Sequence, residues 1–389
     1  MNRNTDRMLT THVGSLPRPA PLVAMMVAEQ QGRAVDASAY AEAVRQAVSE
    51  VVARQLALGI DIVADGEESK PSFVAYVNQR LGGFELDAPE HQRSSFAGSR
   101  EHLSFPEFYA SFGQGRTPGS RPAHMVCTAP VVYRGQALVA ADIANLKAAL
   151  ARTPGTAAFM PAASPASIEG WNRNAHYKSD EEYLFAIAEA MREEYRAIID
   201  AGFDLQIDDP RIVSHYTTTP GLGLAEMRQW AGPRIAALNH ALRGIPEERV
   251  RHHTCYGINM GPRVHDLELK HIIEPILTIR AGAYSFEAAN PRHEHEWRLW
   301  ETVKLPEGKS LIPGVISHTT VLVEHPELIA ERLVRYASLV GRERVIAGGD
   351  CGFASHPSAD PEVHPSVVWA KFEALVAGAR LATKELWGR

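Results

Sequence analysis

The chain has 389 residues, 45% of them hydrophobic and 22% charged, with a formal net charge of −6. That is room for one large α/β barrel or two ordinary domains, and it gives no electrostatic reason to expect nucleic acid or an anionic membrane as partner. Three cysteines, Cys127, Cys255 and Cys351, are too few for a disulfide framework. No apolar run reaches spanning length and the first residues lack the core of a signal peptide, so a cytoplasmic location is expected.

Apolar, β-branched runs that each end in a polar cluster mark strands at residues 10–15, 60–67, 125–133, 158–164, 205–209, 250–255, 284–288, 311–317 and 345–351. Helical periodicity fills most intervals, as over 39–58, 181–201, 223–242 and 326–340. Strand–helix alternation of this length predicts a parallel sheet, and about eight repeats predict a closed (β/α)8 TIM barrel, one domain over residues 1–389. Nine runs are one too many. The run 125–133 is the outlier, suited to a hairpin. Between 90 and 123 serine, glycine, arginine and aromatics mix without a period, which predicts a rim insertion rather than a separate domain.

Chemically able side chains collect at the C-terminal ends of these strands, where a barrel builds its active site. After the first run, either Gly14 permits close approach of backbone to a ligand and Ser15 offers a hydroxyl beside free N–H groups suited to an anion, or the segment is a strand-to-loop turn stopped by proline. Glu67 ends the second run, either as a partner for a substrate ammonium or as a solvated acidic turn. Trp171, beyond the run 158–164, suits stacking on a flat ligand or packing in the core. Asp208 and Asp209 end the fifth run, as an amine-binding or proton-sharing pair, or with one of them capping a helix.

His253 and Cys255 are two positions apart on a strand and share one face, so an imidazole and a thiolate can converge there as half of a zinc site. The second thiolate falls to Cys351, in the glycine-lined context Gly348-Gly349-Asp350-Cys351-Gly352. Cys127 lies inside an apolar run and reads as a buried free cysteine. Glu287, an acid ending an apolar strand, competes with His293 and His295 for the fourth position. Those two histidines lie in what reads as the polar start of a helix, where i and i+2 do not share a face.

In this order the motifs T-x-x-x-G-S-x-P, G-E, I-D-x-P, H-x-C, an isolated glutamate and D-C-G resemble the cobalamin-independent methionine synthase family. The likeness is to its C-terminal zinc barrel and runs from Thr10 to about Gly352. The resemblance implies a (β/α)8 barrel in which His253, Cys255, Glu287 and Cys351 hold Zn2+. It implies that Ser15, Glu67 and Asp208 hold the amino-acid part of homocysteine, and that Trp171 lies near a folate. Pro313-Gly314-Val315 resembles the segment leading to the family's proton-donating histidine. Gap-free alignment puts Thr319 there, and a one-residue slip puts His318 there. Short relatives of the same likeness include epoxyalkane:coenzyme M transferases, which add a thiol to an epoxide.

A free thiol with a pKa near 8.5 is only about 3% ionised at neutral pH, so full ionisation on zinc is a gain of roughly 30-fold, or about 2 kcal/mol. The expected activity is transfer of a methyl or other alkyl group onto a small zinc-activated thiol, which replaces Glu287 or a water. The expected partners are that thiol and an alkyl donor, with a homo-oligomer as an open option. An alternative of another class is a zinc hydrolase, with His318 or Asp209 as base. A purely structural zinc is the third reading.

Overall fold

The computed structural model describes residues 5–92, 97–111, 123–257, 261–357 and 363–388. Among the described residues there are ten strands: β1 Ile62–Ala64, β2 Leu81–Leu86, β3 Met125–Tyr133, β4 Ala157–Ala163, β5 Arg173–Asn174, β6 Asp204–Asp208, β7 Val250–Thr254, β8 Ala283–Phe286, β9 Ser310–Ile316 and β10 Gly348–Gly349. Seven of them form one parallel sheet in the order β1-β4-β6-β7-β8-β9-β10. Strands β6 to β9 are buried along nearly their whole length, which is why they read as continuous apolar runs and not as alternating ones.

The sheet is curled. Leu9–Thr11 hydrogen-bonds to both of its edges: Ile62 N donates to Thr10 O at 3.1 Å, and Thr11 N donates to Ala347 O at 2.8 Å. Arg251 on β7 reaches across the interior to the same segment, with Nη1 on Thr11 Oγ1 at 2.9 Å and Nη2 on His12 O at 2.6 Å. Its guanidinium lies 4.0 Å from the centre of the Phe159 ring. Below this polar layer the inner face is sealed by Ile62, Ala64, Phe159, Ala283, Ile312 and Ile346. Two expected strands are reduced. The run 10–15 keeps one bridge, Thr10 to Ala347, and the run 345–351 keeps two paired glycines and a bridge from Val345 to Leu311. Glycines at 14, 348 and 349 favour turns and close approach over extended pairing.

The run 125–133 is a strand outside the main sheet. β3 pairs antiparallel with β2 and parallel with β5 in a three-stranded sheet. The excursion expected over 90–123 is therefore wider, leaving the main sheet before Leu81 and including β3. Residues 93–96 and 112–122 of it lie outside the described residues. Its helix Arg100–Ser104 braces the end of the helix Arg211–Thr218 and a neighbouring loop: Arg100 Nε donates to Tyr216 O at 2.8 Å, and the buried Glu101 accepts the N–H groups of Arg263 and His265.

The outer helices fall where their periodicity places them: Ala37–Leu58, Asp180–Asp200, Leu224–Ala241 and Pro326–Val340. Asp36 and Ser179 cap the first two through side-chain oxygens, and Gly59 ends the first in a left-handed turn. Among the described residues no helix is long and apolar enough to cross a membrane.

Candidate metal centre

β7 delivers the first two groups. Arg251, His253 and Cys255 share the inner face by the two-residue pleat, whereas His252 points outward. His253 Nδ1 lies 3.2 Å from Ser285 Oγ on the neighbouring β8, which fixes the ring and leaves Nε2 buried without a hydrogen-bond partner. Cys255 Sγ lies 3.1 Å from Cys351 Sγ, well beyond a disulfide bond length, and both are free thiols. The ligating atoms of His253, Cys255 and Cys351 all lie within 4.8 Å of one another, and all three residues are buried. The hydrogen bond from Cys255, burial, and the negative charge of Cys255 and Glu287 push the Cys351 thiol well above its ordinary value. Burial, with Arg251 and His252 adding to it, pushes His253 well below the usual imidazole range. A neutral imidazole with an orphaned nitrogen facing two thiols fits a divalent metal of the zinc class.

Glu287 belongs to a second buried group with His318 and Asp350, whose ligating atoms also lie within 4.8 Å of one another. Its Oε1 accepts from Tyr256 N at 3.2 Å, its Oε2 accepts from Asn290 Nδ2 at 2.8 Å, and Arg263 Nη1 pairs with Oε2 at 2.8 Å. The structure therefore brings together three of the four expected ligands and sets the fourth beside them, on an arginine. Asp350 is not free to bind a metal in this arrangement. Its carboxylate accepts the N–H groups of Ala288, Ala289 and Asn290 at 2.7, 2.8 and 3.0 Å and so shapes the turn after β8.

His293 is consumed elsewhere. Its ring nitrogens lie 2.9 Å from Glu296 and 3.1 Å from Asp266. Burial lowers its pKa, but these two carboxylates outweigh it and carry it up to about 9.

His318, and not Thr319, reaches the centre. Residues 312, 314 and 316 of β9 have the parity of the inner face, and 318 continues it. Thr319 turns back to Ser317, with the hydroxyls 2.9 Å apart. Burial, with the charge of Arg263, pushes His318 down to about 4, and both of its ring nitrogens are buried without hydrogen-bond partners.

The three residues expected to hold an amino acid stand on the neighbouring strand ends. Ser15 is tied to the loop after Cys351: Phe353 N donates to Ser15 O at 3.0 Å, and a Cβ on Gly352 would fall 2.0 Å from Ser15 Oγ, so only glycine fits. Gly14 has φ +137, and a Cβ there would lie 2.6 Å from Glu67 Oε1. Glu67 Oε2 is buried and unpartnered. Asp208, opposite His253 in the sheet, accepts from Gln206 Nε2 at 2.7 Å. Burial and the negative charge of Glu67 hold Asp208 well above the usual carboxylate range, with Lys70 opposing. Two buried carboxyl groups facing one space suit an ammonium.

Asp208 and Asp209 do not form the expected pair. Adjacent strand residues point to opposite faces, and Asp209 accepts from Ser164 Oγ at 2.8 Å and faces His252 at 3.5 Å. That removes it from the centre as a base. Trp171 stacks on His124, with ring centres 4.3 Å apart. It lines a cavity of about 330 Å³ with Asp87, His91, Glu169 and Arg173, none of them a residue of the metal groups. Arg263 was not visible in the sequence as a site residue. It follows no strand end directly, and it is held beside Glu287 by contacts distant in sequence, among them Glu101 of the excursion on its backbone N–H and Arg292 on its carbonyl.

The catalytic-domain model of the cobalamin-independent synthases matches residues 8–100 and 123–370. A methionine synthase of Thermococcus kodakarensis is 22% identical over 378 residues, covering 97% of this chain and 94% of the relative. The 5-methyltetrahydropteroyltriglutamate–homocysteine methyltransferase of Vibrio cholerae is 24% identical over 88% of this chain but only 39% of that longer protein. Among solved structures, a B12-independent methionine synthase from Shewanella sp. W3-18-1 superposes with a TM-score of 0.75 at 20% identity, covering 98% of this chain and all of that one. With most of its length matched by the family model, the chain belongs to the cobalamin-independent methionine synthase family.

Proposed function

We propose that this protein is a zinc-dependent transferase that moves a methyl group onto the sulfur of homocysteine. The observation that carries the reading is the convergence of His253, Cys255 and Cys351, whose ligating atoms lie within 4.8 Å of one another in a buried site. The names of the relatives, methionine synthase and homocysteine methyltransferase, support the acceptor and the reaction. We further propose that the curled sheet is a closed (β/α)8 barrel, with Leu9–Thr11 as its eighth staves, and that the whole chain is one catalytic domain.

His253, Cys255 and Cys351 would hold the ion, with Glu287 as the exchangeable fourth ligand, drawn between it and Arg263. When bound, zinc supplies the positive charge that keeps the substrate sulfur ionised at neutral pH. Glu67 and Asp208 hold the substrate ammonium, and Ser15 with its neighbouring backbone N–H groups holds the carboxylate. The proton released by the thiol leaves to solvent as homocysteine binds, and His318 donates a proton to the leaving atom as it gives up the methyl group. The sulfur lone pair forms the new S–C bond, and the electrons of the broken bond stay on the leaving atom. The buried site excludes water and fixes the approach in line.

Zinc-edge X-ray absorption tests the reading. The resting protein is expected to show two sulfur neighbours, and homocysteine is expected to add a third. Coenzyme M, which lacks the amino acid that Glu67 and Asp208 would bind, is expected not to. Cys255→Ser and Cys351→Ser should lose the metal and at least roughly 30-fold in turnover, the share due to thiol ionisation. Retention of both zinc and turnover in these variants would falsify the proposal.

A further inference from the structure

Lys371 is fully buried in the helix Pro365–Trp387, an unusual place for an ammonium. Its Nζ donates to Leu322 O and to Glu324 Oε2, the latter at 2.9 Å. The other oxygen of Glu324 accepts the N–H of Ser317 at 2.8 Å. Ser317 is the residue before His318. The chain of contacts therefore runs from a helix on the outside of the sheet to the backbone that aims an unpartnered imidazole at the metal centre.

The loop needs such an anchor. Its tip, Val321, Leu322 and Val323, is 62%, 75% and 45% exposed and is not part of the hydrophobic core. Its other hydrogen bonds, Thr319 N to Ser317 Oγ and Leu322 N to Thr320 Oγ1, are internal and fix its shape but not its place. A buried ion pair is a costly way to gain stability, since apolar residues of similar volume do as well or better. What it does well is fix one geometry, through directional contacts at both carboxylate oxygens.

We infer that Lys371 and Glu324 form a buried clamp that positions His318 for its proton transfer. The inference rests on the methyl-transfer reading above. Both residues are positioning residues: neither touches substrate.

The test compares two methyl donors with homocysteine as acceptor. A 5-methyltetrahydropteroyl donor releases a nitrogen that must gain a proton, whereas methyl iodide releases iodide, which needs none. Lys371→Met is expected to lower kcat with the pteroyl donor at least tenfold, and to stay within threefold of wild type with methyl iodide. Zinc content and the KM for homocysteine should hold, and Lys371→Arg should restore part of the loss. In a His318→Ala background, Lys371→Met should cause no further loss, because the two residues act on one step. Should Lys371→Met not fold, Lys371→Met/Glu324→Gln, which removes both charges, carries the same readouts. Wild-type turnover with a variant within twofold of it, or an equal loss with both donors, overturns the clamp alone. No methyl transfer to homocysteine by the wild type overturns the methyl-transfer reading, and the clamp with it.

Discussion

His293 shows how a single side chain can carry the marks of a metal ligand and do something else. It follows a strand end, lies in a cluster of acids and histidines, and is almost wholly buried, yet its two nitrogens are taken by Asp266 and Glu296. The result is an imidazolium held by two carboxylates, and it has a consequence for stability. Its folded-state pKa of about 9 lies above the unfolded value of 6.5, so the native state binds the extra proton between them. This contribution is full below pH 6.5 and lost as pH rises through about 9. The shift corresponds to roughly 3 kcal/mol. Urea unfolding at pH 6 and pH 9.5 should show wild type losing about that much more than His293→Gln. Parallel loss in the two proteins would remove the ion pair as its source. Asp266 and Glu296 keep other partners, Arg263 and the N–H of Leu269, so the variant should still fold.

At the scale of elements, the decisive feature is the short segment Leu9–Thr11: a strand was expected over residues 10–15, and a single bridge with hydrogen bonds on both sides is found. It also carries the strand end that presents Ser15. His12 accepts the N–H of Gly14 at 3.2 Å through Nδ1, and its other nitrogen contacts Gln55 Oε1 at 2.7 Å, which holds the turn in place. Thr11→Pro deletes the N–H that reaches Ala347 O and leaves that buried carbonyl without its donor. The expected cost is about 1–3 kcal/mol, by thermal or urea unfolding. A larger effect is expected on homocysteine affinity than on zinc content, since Ser15 moves with the segment while β7 does not. Equal loss of both would mean that the segment supports the whole rim.

At the scale of the molecule, the metal groups lie where β7, β8, β9 and β10 end side by side, so one ion held by His253, Cys255, Glu287 and Cys351 would tie together three stretches of chain. Binding to the native state alone stabilises it by mass action, about 4 kcal/mol at a free-ion concentration a thousandfold above Kd. Chelation is therefore expected to lower the melting temperature, and readded zinc to restore it. Cys255→Ser should abolish the difference between loaded and stripped protein. A melting temperature indifferent to chelator would show that the ion, if bound, contributes nothing to the fold.

Much of this was legible in the sequence. Alternating apolar runs and helical periods set the parallel sheet and its outer helices, because both periods are local properties of the backbone. The same pleat placed His253 and Cys255 on one face before any partner was known. Which distant groups meet them was decided by the curl of the sheet, which brings Cys351 to 3.1 Å from Cys255. The register of β9 chose His318 over Thr319, and the excursion between β2 and β3 delivered Arg263 to Glu287. Residue type and spacing reach only a few positions along the chain. Convergence of strand ends is a property of how the whole chain packs, and only the tertiary structure fixes it.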